Sequence, residues 1–410
     1  MRLTGPRRRA AILAATLAAA LATATVGPGW ADGSSYAGRD RPQQTSDGRP
    51  GERAPAVPRG QRRPDVWTTL QAYPIAPGVS FEQFTLTGPR GVVRAQLVRI
   101  DPATPGLALD LVSGHHVASR HVVADMMDPD AVVGVNGDFF DIRDTDAPLG
   151  VAKDRQRGIM NGVQSGWNSA FWVDAAGVPH IGDLYADARI RQLPHLDITT
   201  VNSPSVRPGQ VGLYNRKWGR LTKFRVVDGK RHRVRMVVVR HGRVTSDRTH
   251  FPRSLRVRGL VLVGRGPGAR RLAGLRVGQR ITADVSLSRH VAMAVTGNTF
   301  ILRDGVRVSK DDVDMHPRTA VALDRDTGQL MLLVVDGRQT FSRGMTMKEL
   351  AELFQRLGAE DALNLDGGGS SIMLAKQADG SLAVLNSPSD GHPRPVANGL
   401  EVTYDPPPTS

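Results

Sequence analysis

The sequence predicts an α+β fold: a mixed, β-rich sheet with a few helices in one large domain. Three observations predict it. Short runs rich in Val, Leu and Ile recur from residue 67 to about residue 404, helical periodicity is clear in one stretch only, and strands do not alternate with helices as regular βαβ units. Hydrophobic residues make up 40% of the 410-residue chain, enough for a real core, which argues against wholesale disorder. No internal repeat is visible.

Residues 1–31 read as an export signal. Arg2, Arg7, Arg8 and Arg9 form a positive start, and residues 10–23 are almost unbroken Ala, Leu, Ile and Thr. Ala22-Thr23-Ala24, or later Ala31, supplies the small residues of a cleavage site. The apolar run is shorter than the ~20 residues a spanning helix needs, so a secreted, extracytoplasmic protein with no stable membrane span is expected. Three consecutive arginines also suit the twin-arginine route. Residues 32–66 read as a disordered linker, with Pro50, Pro55, Pro58 and Pro64 among Gly, Ser, Gln and alternating charge. The domain then spans residues 67–405.

Within it, apolar runs predict strands at 92–100, 236–239, 260–263 and 330–335. A helix is predicted over 346–357. Thr346-Met347-Lys348-Glu349 forms a capping box, Leu350, Leu353, Phe354 and Leu357 recur at i, i+3, i+4 and i+7, and Gly358 ends the run. A second, weaker helix is predicted over 119–126, closing before Asp128-Pro129.

The composition excludes several chemistries. With no cysteine there is no disulfide framework, no thiolate metal site and no cysteine nucleophile. Aromatic residues at 5% are too sparse for a surface that stacks bases, and export with no recognisable binding motif argues against nucleic acid as a partner. The formal charge is +15; without the four signal arginines it is about +11, because residues 1–31 hold no acid. A basic β-rich segment at about 190–290 carries this excess. Residues 216–258 alone hold fifteen Lys and Arg against Asp228 and Asp247, a net +13. Alternation with Val and Leu suits solvated strand faces, and the uniform sign suits docking of a polyanionic cell-wall polymer.

Chemistry is expected at strand ends. Residues 133–141 form an apolar strand that breaks at Asn136-Gly137, a turn pair that could present the Asn136 amide with Asp138 and Asp141. His316-Pro317-Arg318 opens a strand with a guanidinium suited to bidentate contact with phosphate or carboxylate. The run 332–335 delivers Asp336, and Ser342-Arg343-Gly344 leads into the capped helix. Asp366-Gly367-Gly368-Gly369-Ser370-Ser371 lies between two apolar strands, and its glycines would let backbone N–H groups face an anion. It is not an NTPase loop, because no Lys follows the glycines and the next element reads as a strand.

These motifs, in this order and with Arg394-Pro395-Val396-Ala397-Asn398-Gly399, resemble the phosphodiester glycosidase family. The resemblance covers about residues 92–402 and is most specific over 316–399. It implies a secreted catalytic domain acting on a glycosyl phosphodiester, the bond between a sugar C1 and a phosphate oxygen, in a phosphate-bearing glycan. Carried over, it implies Asp366, Asp336 and Asn136 as catalytic residues and Arg318, Gly367, Gly368, Gly369 and Ser370 as the phosphate site, with Asp138, His316 and Ser342 as further candidates. The physical roles agree: a leaving phosphate needs its charge held, which suits Arg318, and an oxocarbenium-like sugar needs a carboxylate, for which Asp336 and Asp366 are the natural pair.

No cofactor is required by the sequence. A calcium or magnesium ion on Asp138 and Asp141 is neither demanded nor excluded, and His115, His116 and His121 could ligate a metal, although their loop-like setting and unrelated spacing argue against it. Two other classes share these features: a phosphodiesterase attacking phosphorus, and a non-catalytic binder of polyanionic wall polymer.

Overall fold

A computed structural model of the chain describes residues 49–377 and 379–407. The export signal predicted over 1–31 and the first part of the linker, 32–48, lie outside them. The rest of the predicted linker runs along the domain. Glu52–Arg53 pairs with Asp314–Met315, and Ala54 N donates to Val313 O at 2.7 Å.

The α+β class is observed, with antiparallel pairing dominant. An eight-stranded sheet runs Val66–Ala76, Val79–Gly88, Gly91–Ile100, Gln329–Val335, Arg318–Asp324, Asp361–Asn364, Thr299–Arg303 and Val306–Arg307 in spatial order. A five-stranded sheet runs Leu382–Val384, Met373–Lys376, Ala131–Asn136, Asn398–Tyr404 and Leu107–Ser113. A ten-stranded sheet, which carries part of the basic segment, includes Val234–Arg240 between Leu260–Arg265 and Arg243–Arg248 at its edge.

The layering explains why the strands were legible. Along Gln329–Val335, Leu330, Leu332 and Val334 face a core shared with Val133, Val135, Leu400 and Val402 of the five-stranded sheet. Met331, Leu333 and Val335 face the opposite way, onto Leu350, Ala351, Leu353 and Phe354 of the helix Met347–Arg356. A strand covered on both faces must be apolar at every position, as this one is.

That helix forms as predicted. Thr346 accepts from Glu349 N while Glu349 accepts from Thr346 N, closing the capping box. Gly358, at φ +87°, supplies the left-handed residue that ends it. The weaker helix shrinks to Val123–Met126. His121 exchanges both backbone hydrogen bonds with Val396, so its backbone is not left for a helical turn, and Ser119 Oγ donates to His116 O at 2.6 Å just before it.

Candidate active site

Strand ends from two sheets converge here. In the eight-stranded sheet, Arg318 opens its strand opposite Val335, and Ala320 lies opposite Asn364. Arg318 therefore starts between the strand that delivers Asp336 and the strand that runs on to Asp366. The chain then passes through the glycine loop into Met373–Lys376 of the five-stranded sheet, beside Ala131–Asn136. Next to that strand lies Asn398–Tyr404, with Gly399 opposite Asn136.

Asn136 fastens the two sheets. Its Nδ2 donates to Asp366 O at 2.6 Å, while its Oδ1 accepts from Thr319 Oγ1 at 2.7 Å and Ile372 N at 3.1 Å. The side chain is fully buried, so it is placed to position Asp366. The tight turn expected at Asn136-Gly137 does not form. Gly137 N and Asp138 N instead donate to the Asn398 backbone and side-chain oxygens at 3.0 and 2.8 Å.

Three buried carboxylates differ in their surroundings, and each is about 1% exposed. Asp336 is saturated: its oxygens accept from Arg94 Nε at 2.8 Å, Gln96 Nε2 at 3.0 Å and Ser387 N at 2.7 Å. Asp366 accepts from Gly367 N at 3.0 Å through Oδ1. Asp138 Oδ2 accepts from Thr296 Oγ1 at 2.8 Å and Gly150 N at 3.0 Å, while its Oδ1 is buried with no hydrogen-bond partner among the described residues. Burial lifts the Asp138 carboxyl well above the usual carboxylate range, and the charge of Asp366 nearby adds to the rise against those donors. Asn398 Nδ2 and Ser371 Oγ are likewise buried without a partner among the described residues. Such atoms mark where the polar groups of a ligand or water would be satisfied.

The glycine loop is built differently from the anion cradle the sequence predicts. Gly367 N, Gly368 N, Ser370 N and Ser371 N donate to Asp366 Oδ1, Pro317 O, Gly367 O and Gly368 O, so these four N–H groups point into the protein. The loop coils into a 3₁₀ turn over Gly368–Ser370, with Gly368 at φ +61°. Gly369 is needed for another reason. A Cβ there would collide with Arg394 Nη2 and lie 2.5 Å from Asp390 Oδ2. Arg394 lies over the loop, held by Asp390 Oδ2 at 2.8 Å from Nε and 2.5 Å from Nη2, with Nη1 3.5 Å from Ser370 Oγ.

The remaining candidates lie at the same sheet end. Arg318 is 7% exposed and donates to Met345 O at 3.0 Å and Asp314 O at 3.4 Å. Ser342 Oγ donates to Asp336 O at 2.7 Å and accepts from Arg94 N at 2.9 Å, so it braces Asp336. His316 Nδ1 is 3.1 Å from Arg338 Nη2. Sequence reasoning missed Thr296, Asp390 and Arg94, and left Arg394 and Asn398 inside a motif without a role. Asn398 and Arg394 had a signal, since both stand in the last of the motifs; Thr296 and Arg94 had none.

Among the described residues no group of three or more His, Asp or Glu is placed to hold a metal ion. Asp141 turns from Asp138 to Thr145, accepting from its N and Oγ1 at 3.0 and 2.9 Å. His115 and His116 meet edge to face at 4.5 Å, whereas His121 is engaged with Val396.

The fold and this site define a β-rich α+β domain with buried carboxylates gathered where two sheets meet. Residues 232–403 match the model of the phosphodiester glycosidase family. It is 37% identical over 89 residues to the SPbeta prophage-derived protein YomE of Bacillus subtilis, which is 22% of this chain. It is 45% identical over 76 residues, 18% of this chain, to the N-acetylglucosamine-1-phosphodiester alpha-N-acetylglucosaminidase of Mus musculus. Each aligned stretch spans only 13% of that relative's length. A crystal structure of a Burkholderia pseudomallei protein whose name assigns it to export shares the fold, at 18% identity and a TM-score of 0.66, over 86% of this chain and 99% of that one.

Proposed function

We propose that the protein is an exported hydrolase that cleaves the bond between sugar C1 and a phosphate oxygen in a phosphate-linked glycan of the bacterial envelope or capsule. One observation carries the reading: the Asp138 and Asp366 carboxyls are both buried, and burial first and then the Asp366 charge raise the Asp138 carboxyl well above the usual carboxylate range. A neighbouring pair with one carboxyl protonated and one charged is what glycosyl transfer to water uses. The C1–O bond breaks, the water oxygen bonds to C1, the water proton passes to a carboxylate, and the phosphate leaves as the monoester. A phosphate leaving group is a weak base, so Asp138 has only to share its proton with it.

Around the pair, Arg394, Ser371 Oγ and Asn398 Nδ2 are the groups best placed to take the phosphate, while Arg318 donates to Met345 O and Asp314 O beside them. Asn136 and Asp336 are positioning residues, since their polar atoms are bonded to the protein. Export rests on the signal-like residues 1–31 and on the name of the Burkholderia pseudomallei relative. The mouse relative's name makes an N-acetylglucosamine 1-phosphodiester the first substrate to offer.

Hydrolysis in 18O-water tests the bond that breaks. Label in the sugar upholds the proposal. Label in the phosphate would instead make the protein a phosphodiesterase, and no turnover of any glycosyl phosphodiester would favour the non-catalytic wall binder.

A further inference from the structure

A second cationic feature lies outside the carboxylate site. A cavity of about 480 Å³ is lined by His115, His116, Arg216, Arg256 and Arg258 with Gly219 and Val257, and no acidic residue contributes to its wall. Three guanidiniums gathered around one volume repel one another, a cost that an anion reduces, and burial, His115 and Arg256 hold the His116 imidazole below its usual range.

The cavity is built by the fold. Val117 N donates to Lys217 O at 2.8 Å, and Val257 N donates to Gly219 O at 3.0 Å, so the histidine wall and both arginine walls share backbone bonds. Asn215 caps the turn Arg216–Trp218, whose Trp218 is buried, and Arg216 Nε donates to Arg258 O at 2.8 Å. Gly219, at φ +90°, leaves the space in which His116 stands: a Cβ there would lie 2.8 Å from the His116 ring. His116 Nδ1 is buried with no hydrogen-bond partner among the described residues. The two rings meet at 4.5 Å.

Its position ties it to the chemistry. Ser113 ends the strand Leu107–Ser113 and lies opposite Asn398, the residue whose Oδ1 accepts from Asp138 N. His115 and His116 follow two and three residues later, so the histidine wall leaves the same end of the five-stranded sheet as Asp138, which follows Asn136. Arg157 fixes this exit, donating to Gly114 O at 2.9 Å and Ser113 Oγ at 2.8 Å.

We propose that this cavity is a second anion site that takes a phosphate group further along the same phosphate-bearing polymer whose glycosyl phosphate bond is cut beside Asp138 and Asp366. The inference rests on the proposed glycosidase reading for its polymer, though not for its anion. A phosphate of a neighbouring repeat would accept from Arg256, Arg258 and the His116 ring, and the chain would run from there along the sheet edge to the carboxylates. The surrounding positive segment would draw the polymer in.

Two measurements on the full chain decide it, with Arg256→Gln/Arg258→Gln as the variant and His116→Gln as a second that keeps the arginine charge. Inorganic phosphate is titrated while the imidazole NMR signals of His115 and His116 are followed. Saturable shifts in the wild type, weakened about tenfold or more in the double variant, uphold the site. No saturable shift overturns it. Cleavage of a polysaccharide with repeating glycosyl phosphodiester links is then compared with cleavage of a single methyl glycosyl phosphodiester. The variants should raise KM for the polymer about tenfold and leave kcat/KM for the small substrate within about twofold, each loss reflecting charge-assisted contacts. Equal loss on both substrates overturns the polymer role, and so does single-stranded DNA binding the cavity as tightly as the polymer. A wild type inactive on both sinks the glycosidase reading, and the phosphate titration still decides the anion site.

Discussion

Asp336 is the sequence's natural partner for Asp366, and its surroundings predict a different phenotype from that of a catalytic carboxylate. Asp336→Ala removes the acceptor of Arg94 Nε, Gln96 Nε2 and Ser387 N at once. Arg94 is about a quarter exposed, so water can take over part of its bonding. Gln96 is fully buried and cannot be rehydrated in place. With ~1–3 kcal/mol for each buried donor left unsatisfied, and a discount for Arg94, the loss comes to about 3 kcal/mol. An unfolding entropy of ~2.1 cal/mol/K per residue over roughly 350 residues turns this into a fall in Tm of about 4 °C. Asp336→Asn should lose less, because it keeps an oxygen for Ser387 N while turning an NH2 toward Arg94 or Gln96. Calorimetric Tm and kcat/KM on a glycosyl phosphodiester, measured on the same preparations, give the test. Destabilisation with kcat/KM of the folded Asn variant retained to within about tenfold is expected. An Asn variant with wild-type Tm and turnover reduced ~10²-fold or more would refute the positioning role and make Asp336 a catalytic carboxylate.

Further outcomes follow from the same geometry. Asp366→Asn should cut turnover ~10²-fold or more at little cost in Tm, and a near-normal rate in the folded variant would remove it from the mechanism. Gly369→Ala should displace Arg394 from the loop and raise KM more than it lowers kcat; unchanged KM would mean Arg394 does not hold substrate. Glu401 is raised to about 7 by burial and by the charges of Asp128, Asp110 and Asp154, against the donor Asp128 N, while burial raises Asp110 to about 6. Because its folded pKa lies above the ordinary 4.5, the stability Glu401 contributes is full below about 4.5 and is lost as pH rises through about 7. Tm should therefore fall between pH 5 and pH 8, and Glu401→Gln should flatten the fall; an equal slope in the variant would contradict this origin.

What could be read in advance was local. The strand at Gln329–Val335 and the helix at Met347–Arg356 each carry their signal within a dozen residues, as a two-faced apolar run and as a capping box with an i, i+3, i+4, i+7 stripe. The weaker helix falls short because the His121 backbone pairs with Val396, a distant partner that the local pattern could not reveal. The site's residue types were also visible, but their duties were set over long range. Asn136 meets Thr319 across 183 positions and Asp366 across 230, and Arg94 meets Asp336 across 242. Nothing in a run of residues says which of two Asp-Gly motifs will be saturated by arginine and which will lie beside another carboxylate. Asp138 carries a weaker signal in the sequence than Asp336 for that reason, although its carboxyl is the one raised well above the usual range once the sheets are assembled.

The glycine loop shows the same dependence of chemistry on topology. Its three glycines suggest open backbone donors, yet the loop has to carry the chain from one sheet to another within the few residues between Asn364 and Met373. A turn that short closes on itself, and it uses its N–H groups to do so. The absence of side chains then serves close approach: Pro317 O can meet Gly368 N, and Arg394 can lie against Gly369. In the proposed function, holding an anion would then fall to Arg394, Asn398 and Ser371, groups whose positions follow from the five-stranded sheet and from Asp390. Asp366, in turn, is placed by the join between the sheets, so a substitution that loosens Asn136 should disturb Asp366 through the bond from Asn136 Nδ2 to Asp366 O.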